Sequence, residues 1–294
     1  MLPISRRISG LLHGDYSGLL HRAGSELGDT RKYLEGDDVR RIDWSATART
    51  NETQVHDTIA DHELEVWCVV DSSPSMSFGT GSITKAQLAA DVVSALGYLV
   101  VHTGNRIGAV STGVTQKVIM PRGGTEQLAL VMAAVQSQNT TKLRGTQLAS
   151  WPAVLSLGKV IDTCLNATTR RGLVVIVSDF LQDSDWANAI SHAAQRHDVI
   201  AVVISDPREH AFNDVGVVEF YDAATGRTAV VDTSNPKWRD QFAENSAARR
   251  ERIKATLGEV RADILSLRTD SDWVAELATF LRSRKRRLAM GYRR

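Results

Sequence analysis

The sequence has little cysteine, no long apolar run and almost no net charge. Its two cysteines, Cys68 and Cys164, lie far apart, and Cys68 sits inside the apolar run 66–70, so we expect buried free thiols and no disulfide. No apolar run reaches membrane-spanning length, and residues 1–7 are not followed by the apolar core of a secretion signal. These absences favour a soluble, cytoplasmic protein without a membrane span.

The balance of charges also limits the partners. With 35 lysines and arginines against 34 acidic residues, the net charge is +1, which provides no whole-molecule field toward nucleic acid or anionic lipid. A basic run at 282–287 stands near Trp273, Phe280 and Tyr292, but these aromatics have the helical spacing typical of a core. We therefore interpret the run as a solvated helix end and expect no nucleic-acid partner.

Several catalytic motifs are missing. There is no Gly-x-x-x-x-Gly-Lys-Ser/Thr loop for nucleotide phosphates and no Gly-x-Ser-x-Gly elbow for a serine hydrolase. His192 and His197 are five residues apart, so on a helix they would not share a face as a metal pair does. The sequence therefore predicts a protein that is not an enzyme.

From Leu64 onward, short apolar runs alternate with amphipathic stretches, which predicts a mostly parallel sheet. We expect an α/β fold, doubly wound, with helices on both faces of the sheet. The predicted strands are 64–70, 106–111, 116–120, 173–178 and 199–205, and the predicted helices are 85–101, 126–136, 147–160 and 185–197. After 207 we predict a hairpin (215–221 and 228–231), a helix at 237–257, a strand near Ile264 and a helix from about Ser271.

The first sixty residues have a different texture. They are polar and rich in glycine and show no sustained period of either kind, which is typical of an extended wrap or a small subdomain. We predict an N-terminal segment at 1–62 and an α/β domain at 63–294, with a C-terminal extension from about 207.

Oxygen-bearing side chains follow the first predicted strand. In an extended loop, residues two apart point the same way, so Asp71, Ser73 and Ser75 can converge on one point. One carboxylate and two hydroxyls suit Mg²⁺, whereas zinc prefers nitrogen or sulfur. Asp179 ends the strand 173–178 and would add a second acceptor at the same sheet edge. The alternative is that these residues are ordinary turn and N-cap residues that bind no metal.

An apolar strand followed by Asp71-x-Ser73-x-Ser75 resembles the metal-ion-dependent adhesion site of von Willebrand factor A domains. The resemblance implies a von Willebrand factor A-like fold and a bound Mg²⁺, with Mn²⁺ or Ca²⁺ as alternatives. It also implies a loop threonine and a later aspartate, which we assign to Thr146 and Asp179, with Thr125 as a rival threonine. The metal would grip an acidic side chain of a partner protein.

Residues 31–49 resemble the signature of a bacterial protein family, domain-of-unknown-function family fifty-eight, in which this signature precedes an A-type domain. The residues that carry the resemblance are Tyr33, Gly36, Asp37, Asp38, Arg40, Asp43, Trp44 and Arg49. The resemblance implies a MoxR-type AAA+ ATPase, its client protein, or both as partners in chaperone-like assembly or maturation. The signature would act as a structural clasp on the α/β domain or contact the partner directly.

We expect a non-enzymatic, metal-dependent adaptor, and two alternatives stay open. In the first, the metal loop is vestigial and the signature binds the partner, so charge reversal at Arg40 or Asp38 abolishes binding and Asp71→Ala does not. In the second, the protein is a metal-dependent hydrolase, for which Asp183 and Asp185 are the candidate bases. The oligomeric state stays open as well.

Overall fold

The computed structural model describes residues 30–34, 39, 42–56, 63–112, 116–139, 155–182, 185–221 and 227–290. The strands within these ranges are β1 (Thr30–Lys32), β2 (Gln54–His56), β3 (Glu65–Val70), β4 (Arg106–Ser111), β5 (Lys117–Arg122), β6 (Leu173–Ser178), β7 (Asp198–Ser205), β8 (Val217–Tyr221), β9 (Thr228–Asp232) and β10 (Asp263–Arg268). The helices are α1 (Trp44–Thr50), α2 (Lys85–His102), α3 (Thr125–Asn139), α4 (Leu157–Ala167), α5 (Trp186–Arg196), α6 (Pro236–Glu259) and α7 (Trp273–Ala289).

The described part of the N-terminal region contains regular structure. Strands β1 and β2 pair in antiparallel fashion, and α1 lies between them in sequence. The Asp43 carboxylate caps α1 by accepting a hydrogen bond from the amide of Ala46 at 2.9 Å. These residues therefore form a small folded unit ahead of the main sheet.

The main sheet has six strands in the order β10-β7-β6-β3-β4-β5, and every pair is parallel except β4 with β5. Counted along the chain from β3, this is the doubly wound order 3-2-1-4-5-6. The predicted fold class is confirmed. Because β3 and β6 are neighbours at the point where the order reverses, the loops after them share the edge where such folds bind ligands.

The sheet is buried on both faces because its strands are continuous apolar runs. Residues such as Val66 and Val70 pack against α2, α3 and α7, while Trp67 and Val69 pack against α4, α5 and α6. The two cysteines are buried and free, as predicted. Burial raises the pKa of each thiol to about 12, so neither is a reactive thiolate at neutral pH.

Helix α4 corrects a sequence prediction. The helix predicted at 147–160 is observed at Leu157–Ala167, and residues 140–154 lie outside the described part of the chain. Leu155 and Ser156 are not helical, and Ser156 occupies the N-cap position. The predicted start was therefore wrong for the described residues, because a serine cap sets the first turn and the buried apolar stripe follows it.

The C-terminal part adds a hairpin and a long helix to the sheet. Strands β8 and β9 pair in antiparallel fashion as predicted. The hairpin side chain Phe220 lies in an aromatic cluster with Phe212, Trp238 and Phe242, with neighbouring ring centroids 4.9 to 6.0 Å apart. Because Trp238 and Phe242 belong to α6, this cluster joins the hairpin to the helix.

The basic run of α7 departs in part from the expected solvated helix end. Arg284 is buried, and its Nε lies 2.6 Å from a carboxylate oxygen of Asp263, the first residue of β10. Arg287 also reaches Asp263, at 2.9 Å. Part of the run therefore ties α7 to the sheet. None of the described helices combines the length and the apolar character needed to cross a membrane.

A candidate metal and partner-binding site

Asp71 stands directly after β3 and is the centre of the candidate site. Its side chain is buried, with 1% exposure. One carboxylate oxygen accepts a hydrogen bond from the Ser73 amide at 2.8 Å and lies 3.4 Å from the Thr112 hydroxyl. The other oxygen accepts a hydrogen bond from the Ser178 hydroxyl at 2.6 Å. Residues at the carboxyl ends of β3, β4 and β6 therefore converge on this carboxylate.

The carboxylate of Asp71 has no cationic partner within the described part of the chain. Burial is the main cause that raises its pKa above the ordinary aspartate value, and the nearby charge of Asp179 raises the pKa further. The hydrogen bond from Ser178 acts in the opposite direction. A buried negative charge of this kind is unfavourable unless something positive reaches it.

Ser73 and Ser75 place two hydroxyls beside Asp71. A short 3-10 helix, Pro74–Ser77, follows Ser73 and turns the chain so that the two hydroxyl oxygens face each other at 3.0 Å. Ser73 is buried and Ser75 is half-buried. The structure thus brings Asp71, Ser73 and Ser75 together, as the alternation in sequence predicts.

This donor set fits Mg²⁺. Two oxygens in adjacent positions of an octahedron around Mg²⁺ stand about 2.9 Å apart, because each metal–oxygen bond is about 2.0 to 2.1 Å. The hydroxyls of Ser73 and Ser75 are hydrogen-bonded to each other at 3.0 Å, which is close to this spacing. All the donors are oxygens, and one of them is an unpaired carboxylate, which is the chemistry that a hard cation prefers.

Asp179, directly after β6, has a different environment. One of its carboxylate oxygens lies 2.7 Å from the Lys85 ammonium, and the other accepts a hydrogen bond from the Leu181 amide at 3.1 Å. Lys85 is the first residue of α2, is fully buried and also pairs with Glu209. Although burial opposes its charged form, Asp179 and Glu209 together raise the pKa of Lys85. One internal cation is therefore shared by these two carboxylates.

The loop that carries Asp179 has an unusual backbone. Phe180 has a φ of 55°, a left-handed conformation that is uncommon for a bulky residue. Its amide donates to the Ser178 hydroxyl at 2.9 Å, and its ring packs edge-on against Trp186 at 5.1 Å. These contacts hold the backbone in a strained conformation next to the site.

Asp206, at the end of β7, fixes the neighbouring loops. Its carboxylate accepts hydrogen bonds from the Thr80 amide and hydroxyl and from the Thr269 hydroxyl, at 2.6 to 2.9 Å. The Asp206 amide donates to Glu209 at 2.9 Å, which orients that carboxylate. Although burial acts in the opposite direction, the hydrogen bonds from Thr80 and Thr269 lower the pKa of Asp206. This network holds Glu209 beside Lys85.

Of the two candidate loop threonines, the structure describes only Thr125. Thr146, the threonine that the resemblance implies, lies outside the described residues. Its rival Thr125 is exposed and begins α3 just after β5, where Arg122 pairs with Ile107 near the start of β4. Because β3 and β4 are parallel, Thr125 lies toward the edge of the sheet opposite Asp71.

Only some of the signature residues lie in the described part of the chain. Gly36, Asp37, Asp38 and Arg40 lie outside the described part of the chain. Tyr33 is half-buried, and its amide donates to the Thr53 carbonyl at 2.8 Å. Asp43 caps α1, Arg49 is exposed in its last turn, and Trp44 is 71% exposed. Trp44 therefore does not serve as a buried anchor in the way a clasp would require.

The candidate bases for a hydrolase receive little support. Asp183 lies outside the described residues. Asp185 is exposed next to α5 and accepts a hydrogen bond from the Ser156 hydroxyl at 2.7 Å. This contact fits an aspartate that joins the start of α4 to the start of α5.

Sequence reasoning missed three contributors to the site, Lys85, Glu209 and Thr112. Thr112 had a usable signal, because it follows a strand parallel to β3 and so must lie at the same edge. Lys85 and Glu209 had none, since a lysine in a first helical turn and a glutamate after a strand are usually solvated.

The strand order, the antiparallel edge strand β5 and the two helix layers define a doubly wound α/β domain. The chain also matches the family model described as "Protein of unknown function DUF58" over residues 29–252. It belongs to the DUF58 family, as the signature at 31–49 predicted.

The chain is similar to two mycobacterial proteins and, at low identity, to two solved structures. "Uncharacterized protein Mb1516" of Mycobacterium bovis and "Uncharacterized protein Rv1480" of Mycobacterium tuberculosis are each 38% identical over 296 residues, covering 99% of this chain and 89% of the relative. The conserved hypothetical protein BatB from Bacteroides thetaiotaomicron is 15% identical with a TM-score of 0.43, covering 77% of this chain and 99% of that chain. The SpRpn10 VWA domain is 11% identical with a TM-score of 0.39, and the match covers 73% of this chain and 93% of that domain.

Proposed function

We propose that this chain is a non-enzymatic adaptor that binds a partner protein through a metal site at the carboxyl edge of its sheet. In this proposal Asp71, Ser73 and Ser75 hold Mg²⁺, and Thr146 supplies a further oxygen. The observation that carries the proposal is the buried Asp71 carboxylate, which has no described cation and lies beside two serine hydroxyls that face each other at 3.0 Å. Bound Mg²⁺ would supply the missing positive charge and an open coordination position.

The ion pair of Asp179 supports a specific role for that residue. Both of its oxygens already accept hydrogen bonds, from Lys85 and from the Leu181 amide. Asp179 would therefore act on the metal through water or through its negative charge, with Lys85 holding it in place. Asp71 would then be the carboxylate beside the metal without an ion-pair partner among the described residues, because Asp179 is paired with Lys85.

This charge balance favours an acidic partner. One carboxylate neutralises half of the charge of a divalent cation, so a second carboxylate from outside would complete the neutralisation. A glutamate or aspartate side chain of the partner is the simplest such group. The family resemblance supports a MoxR-type AAA+ ATPase, its client, or both as the source of that side chain, in chaperone-like assembly or maturation.

The test separates metal binding from partner binding. Mn²⁺ would serve as a paramagnetic substitute for Mg²⁺, and its binding to the wild type and to Asp71→Asn would be measured by electron paramagnetic resonance. We expect the variant to bind Mn²⁺ more weakly by more than about tenfold. Asp162→Asn, at an exposed position of α4, is the matched control and should bind like the wild type.

The same three proteins would then be used for affinity capture from native lysate, in Mg²⁺ and in EDTA. A AAA+ ATPase captured by the wild type and by Asp162→Asn in Mg²⁺, and lost in EDTA and with Asp71→Asn, is the expected result. Equal capture under all conditions would exclude a metal-dependent grip. Equal binding of Mn²⁺ by the wild type and Asp71→Asn would exclude Asp71 as a ligand.

A second candidate follows from the exposure of Trp44. In this alternative the metal loop is vestigial and the signature itself contacts the partner, because an exposed tryptophan is a typical interface anchor. Trp44→Ala would then abolish capture while Asp71→Asn would not. Loss of capture with Asp71→Asn but not with Trp44→Ala would support the metal site.

A further inference from the structure

A cavity of about 330 Å³ lies at the carboxyl ends of β7 and β10, and Asp179 of the candidate metal site is part of its lining. Helix α6 covers it, and the loops after β6 and β7 close one side. This volume is at the lower end of the range for small-molecule sites, which is about 300 to 1,000 Å³. The cavity can therefore hold a small ligand but not a peptide segment.

The surface of the cavity is mainly apolar. Val203 of β7 and Phe242 and Ile253 of α6 contribute carbon surface to it. Side chains of this kind favour a ligand with a hydrocarbon or aromatic body.

Basic side chains surround this apolar surface. Arg249, Arg250 and Lys254 reach the cavity from α6, and Arg268 reaches it from β10. Arg268 is paired with Asp270, and Lys254 lies 3.3 Å from Glu251. Arg250 donates to the Ser246 hydroxyl at 3.0 Å, and neither Arg249 nor Arg250 forms an ion pair with another described residue.

The acidic residues of the lining have partners other than Arg249 and Arg250. Two of them, Asp179 and Glu209, are already paired with Lys85. The third, Glu276, accepts a hydrogen bond from Ser271 at 3.1 Å. Positive charge without an ion-pair partner among the described residues is thus concentrated at Arg249 and Arg250, on the α6 side of the cavity.

His210 adds an unused polar atom. Its Nε2 is buried and has no hydrogen-bond partner among the described residues, although the side chain lines the cavity. Burial, followed by the charges of Arg250 and Arg268, lowers the pKa of His210 and so favours the neutral ring. A buried nitrogen without a partner is unfavourable and is readily satisfied by a ligand atom.

We propose that this cavity binds a small organic anion, with an apolar body against β7 and α6 and a carboxylate or phosphate group at Arg249 and Arg250. Nε2 of His210 would hydrogen-bond to the same ligand. The guanidinium groups suit either head group, because each can accept two parallel hydrogen bonds from an arginine. The lining includes Asp179 but not Asp71, and the proposed ligand contacts do not require a metal at Asp71.

The test uses defined probes and the full chain. Isothermal titration calorimetry would compare 4-phenylbutyrate and phenyl phosphate with the neutral 4-phenylbutyramide. We expect at least one anion to bind, and the amide to bind more weakly by about tenfold or more, because it loses the charged hydrogen bonds. The stronger anion identifies the head group. Equal affinity for the amide and both anions, or no binding of either anion at millimolar concentration, would overturn the proposal.

Variants of α6 locate the binding. The double variant Arg249→Gln with Arg250→Gln should weaken binding of the better anion by about tenfold or more. Arg252→Gln is the matched control, because Arg252 is exposed on the same helix and does not line the cavity. Unchanged affinity in a folded double variant would also overturn the proposal. If the double variant does not fold, the comparison of acid and amide on the wild type decides.

Discussion

Two aspartates end neighbouring parallel strands of this sheet, yet they have opposite electrostatic environments. Asp71 after β3 is buried among hydroxyls and amides without a described cation, whereas Asp179 after β6 is bonded to the buried ammonium of Lys85. Both occupy the edge where doubly wound folds bind ligands. Position in the fold therefore does not determine what a carboxylate does, and the presence of an internal counter-charge does.

The largest effect should come from removing that counter-charge. Lys85→Met keeps most of the side-chain volume but leaves Asp179 and Glu209 buried without their cation. We expect the free energy of unfolding to fall by about 3 to 5 kcal/mol, measured by urea denaturation at neutral pH. Lys159→Met, on the exposed face of α4, should change it by less than about 0.5 kcal/mol. Similar losses in the two variants would mean that Lys85 does not act as an internal cation.

A smaller loss should follow when only one of the two acids is altered. Glu209→Gln keeps an oxygen that can accept the Asp206 amide but loses the charge opposite Lys85, while Asp179 remains. We expect a decrease of about 1.5 kcal/mol in the free energy of unfolding. The double variant with Lys85→Met should lose less than the sum of the two single losses, because the residues form one network. Strict additivity would contradict the network.

At Asp71, a substitution should raise the free energy of unfolding instead of lowering it. Asp71→Asn removes a buried, unpaired charge, so in metal-free buffer at pH 7 the free energy of unfolding should rise by on the order of 1 kcal/mol. Asp162→Asn should show no such gain. A loss of stability in Asp71→Asn would show that the charged form of Asp71 is favourable even without a metal.

The pH dependence of the same pair gives an independent check. Because the pKa of Asp71 is raised in the folded state above the ordinary value of 3.8, the folded protein binds the proton more tightly than the unfolded chain. The contribution of Asp71 to stability is therefore greatest below that value and is lost as the pH rises through the folded-state pKa. The difference in unfolding free energy between the wild type and Asp71→Asn, measured in EDTA from about pH 4 to about pH 8, should follow this course. If the wild type instead became more stable relative to Asp71→Asn as the pH rises, the predicted pH dependence would be wrong.

The smallest effect should come from Thr112. Its hydroxyl accepts the Ser72 amide at 2.5 Å and lies near Asp71, so Thr112→Val removes an acceptor while keeping the shape of the side chain. We expect a loss of about 0.5 to 1 kcal/mol by urea denaturation, because the half-buried Ser72 amide can still find water. Thr279→Val, whose hydroxyl is exposed on α7, should lose less. A loss as large as that of Lys85→Met would mean that Thr112 has a larger structural role than its contacts indicate.

Most of the sheet could be predicted from the sequence. The strands at 173–178 and 106–111 were predicted with the observed bounds, because buried parallel strands are continuous apolar runs bounded by polar residues. Helix α4 was misplaced although Leu157, Val160, Ile161 and Cys164 form a clear helical stripe. Starting the helix at the Ser156 cap would have given the observed bounds.

The candidate site was only half predictable. Asp71, Ser73 and Ser75 lie within five residues, so local alternation brings them together. The pairing of Lys85 with Asp179 joins residues 94 positions apart, and nothing in the first turn of α2 marks this lysine as buried. Long-range counter-charges depend on tertiary packing, which local sequence patterns do not record.

The strand order also has a consequence during synthesis of the protein. Ser178, which bonds to the Asp71 carboxylate, lies 107 residues further along the chain, and β6 completes the pairing of β3 on its second side. While the ribosome has not yet released β6, strand β3 has one unpaired edge. The set of side chains that bond to Asp71 is then incomplete. Nascent chains that end before residue 178 therefore lack the Ser178 hydrogen bond to Asp71. The centre of the sheet is completed only after β6 has been synthesised.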